Sequence, residues 1–228
     1  VTPTGASIIA TMKPALTQLR DRLPEAKRAA PSSRAQPAAP KAADPIPAAY
    51  LMHALAETMP RSAALVEEAP SHRPTMQTLL PMPGQDSFYT MASGGLGHGL
   101  PASVGVALGN PDRHTVCLIG DGSAMYSIQA LWTAAQRKLP LTVIVINNSG
   151  YGAMRSFSPV MQVRNVPGLD LPGLDFVRLA EGMGCAAVRV TKSAELAPAL
   201  KRAFADSGTS LIEVIVDSAV PILYGQKH

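Results

Sequence analysis

Two polar positions each follow an apolar, strand-like run: Asp121 after residues 115–119 (TVCLI), and Asn147 and Asn148 after residues 141–146 (LTVIVI). A carboxylate, an amide oxygen and one loop carbonyl are hard oxygen donors. That set suits Mg²⁺, which wants about six oxygens and completes its shell with phosphate and water. Gly120 and Gly122 flank the acid, letting the backbone come close to an anion and offer N–H groups. Ser123 adds a hydroxyl where the next helix begins. The chemistry predicted is a divalent cation shared with a phosphate-bearing ligand. Taken singly, GDGS is a capped turn and NNSG a plain turn, because Gly, Asp and Asn dominate turns. The expectation rests on the pair.

The pair matters because of the elements that carry it. Between the two runs, residues 128–137 read as a helix, which makes a strand–helix–strand unit. Right-handed crossover sets such strands parallel, about 4.8 Å apart if they are neighbours. Asp121 and Asn148 then share the carboxyl edge of one sheet, where open α/β sheets bind ligands. The flanking chain repeats the pattern. Strands are predicted at 63–67, 87–92, 186–190 and 210–216. Helices are predicted at 47–59, 101–109, 175–182 and 193–206. Continuous apolar strands separated by helices predict an α/β fold, a doubly wound and mostly parallel sheet with helices on both faces.

Aromatic residues are 4% of the chain and hydrophobic residues 46%, so the core is aliphatic. The net charge of +4 suggests a nucleic-acid partner, but residues 1–47 hold seven Lys or Arg against three Asp or Glu, and the remainder holds thirteen of each. The strand-rich part is neutral, which argues against binding a phosphate backbone. No apolar run reaches the 18 or so residues of a membrane span. The opening residues show no signal-peptide pattern, so a cytoplasmic setting is expected. Cys117 and Cys185 fit buried thiols in a reducing compartment.

Residues 8–23 read as the end of a helix, and 1–23 as the remnant of a preceding domain. Five prolines between 31 and 47 make 24–47 a Pro/Ala-rich linker. The ligand-binding domain is expected over 48–228. None of the five histidines has metal-ligand spacing, and none is assigned catalysis. His98 is taken for a solvated loop residue. A rival reading is a dinucleotide site: Gly97, His98, Gly99, Leu100, Pro101 and Ala102 fit G-x-G-x-x-A, and Asp121 lies about 20 residues on. A proline inside the motif and an unexplained Asn pair argue against it.

GDG followed, after a helix and a strand, by NN resembles the thiamine-diphosphate signature of the decarboxylase and acetolactate-synthase superfamily, over about residues 46–217. The runs SGGLGHGLPASVGVAL, IGDGSAMYSIQALWTAAQ, NNSGYGAMRSF and NVPGLDLPGLDF look most like the benzoylformate decarboxylases. The resemblance implies thiamine diphosphate and Mg²⁺ as cofactors, with Asp121, Asn148 and the carbonyl of Gly150 as metal ligands. It implies Gly94, Gly95, Leu96, Gly120, Gly122, Ser123, Asn148 and Tyr151 around the cofactor, and Leu96 as support for its bent conformation. Ala153, Met154 and Phe157 would line an aryl pocket. Ala69, Pro70 and Ser71 stand where that group has a threonine near the diphosphate, and Ser71 is expected to supply the hydroxyl. Ser156 replaces a bulky aromatic, which predicts a larger or more polar pocket.

The activity implied is non-oxidative decarboxylation of a 2-keto acid, in a homo-tetramer built as a dimer of dimers. The glutamate that serves the aminopyrimidine comes, in the superfamily, from an amino-terminal pyrimidine-binding domain of a neighbouring subunit. Glu67 and Glu68 do not match it, so no catalytic residue is assigned here. An acetolactate-synthase-like carboligase and a non-catalytic cofactor-binding or assembly subunit stay open as alternatives.

Overall fold

Strand side chains alternate between faces, and here both faces are apolar. In β3 (Thr115–Gly120), Val116 and Leu118 face one layer while Cys117 and Ile119 face the other. In β4 (Leu141–Asn147), Ile144 and Ile146 oppose Val143 and Val145 in the same way. Such strands cannot leave either face to water, so helices cover both.

A computed structural model describes residues 5, 8–25, 29, 37–82, 84, 86–219 and 223. They fall into two units, 1–36 and 37–228. In the first, α1 (Met12–Arg22) is a helix with no buried residue. The second holds a six-stranded sheet in the order β2-β1-β3-β4-β6-β5, with every pairing parallel. Its other strands are β1 (Ala64–Glu68), β2 (Phe88–Thr90), β5 (Ala186–Val190) and β6 (Thr209–Ile215). One face carries α2 (Ala48–Thr58), α3 (Arg73–Leu79) and α9 (Ser193–Ala205). The other carries α4 (Gly99–Gly109), α6 (Ala130–Gln136) and α8 (Phe176–Gly182). This is the doubly wound α/β fold expected from the sequence.

The helix after β1 packs on the first face, and those after β3 pack on the second. The sheet therefore changes winding direction between β1 and β3, and open α/β sheets bind ligands at that switch point. Three short helices at this edge lie beyond the sequence expectation: α3, α5 (Asp121–Ala124) and α7 (Gly152–Phe157). Each is too short to show a 3.6-residue period.

The end of the expected linker is packed into the second unit. Ile46 is fully buried and bridges Val216 in parallel. Asp44 accepts the Ser193 N–H at 2.8 Å, and the Ala43 carbonyl accepts the Ser193 hydroxyl at 2.5 Å. One hydrophobic residue, Ile46, anchors a segment whose composition reads as linker.

Candidate functional site

Gly120 and Ile146 are register partners, so the chains leave β3 and β4 side by side. Asp121 and Asn148 are each only 3% exposed. The Asp121 carboxylate accepts the Gly122 N–H and, from across the gap, the Gly150 N–H, both at 2.8 Å. Burial pushes its pKa up. The N–H groups of Gly122 and Gly150, and then Arg155, pull it down. The carboxylate keeps acceptor capacity beyond these bonds.

The two asparagines part company. Asn147 turns toward β6, donating to Glu213 at 2.7 Å and accepting the Ser149 N–H at 2.9 Å. Asn148 lines the crevice, and its side-chain amide has no hydrogen-bond partner among the described residues. An amide that opens onto the crevice beside a buried carboxylate fits a hard cation. Among the described residues no three His, Cys, Asp or Glu side chains gather to hold a metal by themselves. A cation here would have to share oxygens with its ligand, as Mg²⁺ does with phosphates.

The crevice measures about 200 Å³, and the ends of three strands wall it. From β1 come Ala69, Pro70, Ser71 and His72. From β3 come Gly120, Asp121, Gly122 and Ser123. From β4 and α7 come Ile146, Asn148, Gly150, Tyr151, Gly152, Ala153 and Met154. Gly94 and Leu96 close it from the glycine loop. Gly122 has to be glycine, because a Cβ there would sit 2.5 Å from the Tyr151 ring. Gly120 has no such need, since its nearest foreign atom, Ser123 Oγ, would be 3.7 Å away.

Two expected residues lie outside the lining. Gly95 is not among the lining residues, and a Cβ there would meet Met91 Sδ at 3.4 Å. Phe157 ends α7, about 6 Å further along the axis than Ala153, which carries it past the lining residues. Ser156, expected to change the pocket, is also outside. It is buried and its hydroxyl accepts the Leu223 N–H at 2.7 Å.

Several residues that shape the site gave no sequence signal. Glu68, at the end of β1, accepts the N–H of Gly97 at 2.7 Å and that of Gly99, pinning the glycine loop. Those amides are therefore spent on a carboxylate and cannot cradle a pyrophosphate, which removes the dinucleotide reading. Glu67 is likewise occupied, by the Ala69 N–H, Arg73 and Thr90. Arg155 braces the loop after β4, donating to the Ser149 carbonyl at 2.8 Å and to Asp170 at 2.6 Å. His72 is 3% exposed with Nε2 unpartnered among the described residues, and burial pushes it down to about 4. His98 is half-buried and is not part of the lining.

Residues 69–214 match the family described as thiamine pyrophosphate enzyme, C-terminal TPP binding domain. The chain is 36% identical over 220 residues to the benzoylformate decarboxylase of Pseudomonas aeruginosa, covering 96% of this chain and 42% of that protein. It is 32% identical over 183 residues to the acetolactate synthase isozyme 1 large subunit of Escherichia coli, covering 78% of this chain and 32% of that one. Its structure resembles the thiamine diphosphate-dependent 4-hydroxybenzoylformate decarboxylase of Rhodococcus jostii RHA1, with a TM-score of 0.88 at 38% identity. That match covers 95% of this chain and 41% of the other. The chain thus spans less than half the length of the relatives it matches. With its crevice at the switch point of a parallel sheet, it belongs to the thiamine pyrophosphate enzymes, as a C-terminal TPP-binding domain.

Proposed function

We propose that this chain is the diphosphate-binding part of a thiamine-diphosphate- and Mg²⁺-dependent decarboxylase acting on an aromatic 2-keto acid of the benzoylformate type. The observation that carries the reading is the meeting of Asp121 and the unspent amide of Asn148 in one crevice, with too few charged ligands to hold a cation alone. In this reading Asp121, Asn148 and the Gly150 carbonyl hold the ion. Ser71, Gly94, Gly122, Ser123 and Tyr151 surround the cofactor, with Gly95 and Gly120 contributing backbone nearby. Leu96, Ile146 and Met154 keep water from the reacting end. Ala153 and Met154 face the substrate, with Phe157 behind them.

The bound cofactor supplies an electron sink for the pair released as CO₂ leaves. This chain supplies orientation and a dry wall; the acid/base group comes from an amino-terminal pyrimidine-binding domain of the same or a neighbouring subunit. That arrangement fits a homo-oligomer, which we take to be a dimer of dimers. Two free, buried cysteines suit a cytoplasmic setting, and among the described residues no helix is long and apolar enough to cross a membrane.

Decarboxylation is favoured over acetolactate-type carboligation because the benzoylformate decarboxylase likeness covers nearly the whole chain. The test is CO₂ release from benzoylformate and from pyruvate, with thiamine diphosphate and Mg²⁺, by the full-length protein. Strong preference for benzoylformate is expected. Preference for pyruvate with acetolactate as product would overturn the reading.

A further inference from the structure

We propose that Glu213 and Asn147 are positioning residues that set the metal loop from the neighbouring strand β6 and the end of β4. The proposal rests on the site reading above. Glu213 lies in the middle of β6, fully buried, as the register partner of Val145 on one side and Arg189 on the other. Asn147 stands two residues past Val145, so its side chain leaves β4 on the same face, diagonal to Glu213. The four groups form one line. The Ser149 N–H donates to Asn147 Oδ1 at 2.9 Å, Asn147 Nδ2 donates to Glu213 Oε1 at 2.7 Å, and Arg189 Nε donates to Glu213 Oε2 at 2.7 Å. Arg189 also pairs with Asp175, the cap of α8, at 2.9 Å.

The chemistry of this line permits one assignment. A backbone N–H on Asn147 requires its oxygen to face Ser149, so its NH₂ must face Glu213. Glu213 then accepts with both oxygens, from Asn147 on one side and from Arg189 on the other. Both oxygens of this buried side chain are thus partnered, as buried polar groups generally are. Its pairing fixes Asn147, and Asn147 fixes the backbone at Ser149, a non-glycine residue held at φ 58°. Ser149 is the link between Asn148 and Gly150. The line therefore sets the angle at which both approach Asp121, whose other tie to the loop is the Gly150 N–H.

The test uses the full-length protein saturated with thiamine diphosphate. Mn²⁺ replaces Mg²⁺ and free ion is read by electron paramagnetic resonance. Asn147→Ala and Glu213→Gln should each weaken Mn²⁺ binding by roughly 10- to 100-fold, the size seen when groups behind metal ligands are removed. The double variant should be no weaker than Asn147→Ala, because Glu213 acts through Asn147. Hydrogen exchange should show the Ser149 amide losing protection while amides within β4 keep theirs. Leu200→Ala, a truncation in the core under α9, should lower the melting temperature and leave Mn²⁺ affinity unchanged. Unchanged affinity in Asn147→Ala, additive losses in the double variant, or an equal loss in Leu200→Ala would overturn the proposal. A wild-type protein that binds no Mn²⁺ at all would instead overturn the site reading beneath it.

Discussion

The Asp121 carboxylate, at the end of β3, accepts the Gly150 N–H from the loop that follows β4, at 2.8 Å. One side chain thus both offers the charge of the crevice and ties together the two loops that line it. Asp121→Ala removes the only carboxylate that lines the crevice among the described residues and leaves the Gly122 and Gly150 N–H groups without their acceptor. The orphaned donors cost about 1–3 kcal/mol each, so the variant should fold with a lower melting temperature. Calorimetric titration with thiamine diphosphate and Mg²⁺ should show no Mg²⁺-dependent binding. Affinity equal to wild type would sink the metal assignment.

Gly122→Ala tests the packing of Tyr151 over the β3 turn. The added methyl would meet the ring at 2.5 Å, with the next atom at 2.7 Å, so Tyr151 or the turn must shift. Overpacking of this kind costs about 1–3 kcal/mol. Cofactor affinity should fall with it, and Gly122→Ala combined with Tyr151→Ala should regain stability relative to Gly122→Ala alone. If the single substitution changes neither melting temperature nor affinity, the close approach has no consequence.

The sheet and the Asp121–Asn148 pairing were legible because their signals are local. β3 and β4 are unbroken apolar runs, and each polar residue follows its strand directly. What the sequence hid depends on contacts between distant residues. Glu68 reads as an ordinary strand end until Gly97 and Gly99, about thirty residues on, are seen to donate to it. Asn147 reads as a twin of Asn148 until Glu213 turns it away. β1 supplies a wall of the crevice because of the switch in winding, which a list of elements in chain order does not show. Phe157 and Gly95 entered through the family resemblance alone, while the axial rise of a helix and the turn of a loop decide which neighbours reach the crevice.

His72 predicts a pH dependence of stability. Burial holds its imidazole at about 4, against 6.5 when free of the fold. Between those values the unfolded chain takes up a proton that the folded chain refuses. The contribution of this one group is therefore fully present above pH 6.5 and is lost as pH drops toward 4, by about 3 kcal/mol. His72→Phe should flatten that segment of the curve. Urea unfolding at pH 7 and pH 4.5 measures it; the same loss in both proteins would show that other groups cause it.

Ala153 lies in the first turn of α7 and lines the crevice next to Met154, while Ser156, two residues further on from Met154, is buried, accepts the Leu223 N–H and does not line it. This contrast makes a paired test of the aromatic substrate. An isoleucine at 153 adds three carbons to the wall that an aryl group would occupy and leaves room for the methyl of pyruvate. Overpacking by about 1–3 kcal/mol in the transition state corresponds to a fall of roughly 5- to 150-fold in kcat/KM for benzoylformate relative to pyruvate. Ser156→Ala, which removes a hydroxyl from outside the crevice, should leave that ratio unchanged, though losing the bond to the Leu223 N–H should lower the melting temperature. Steady-state kinetics on both substrates with the full-length protein decides the matter. A ratio moved equally by both variants, or untouched by Ala153→Ile, would mean that the aryl group binds elsewhere.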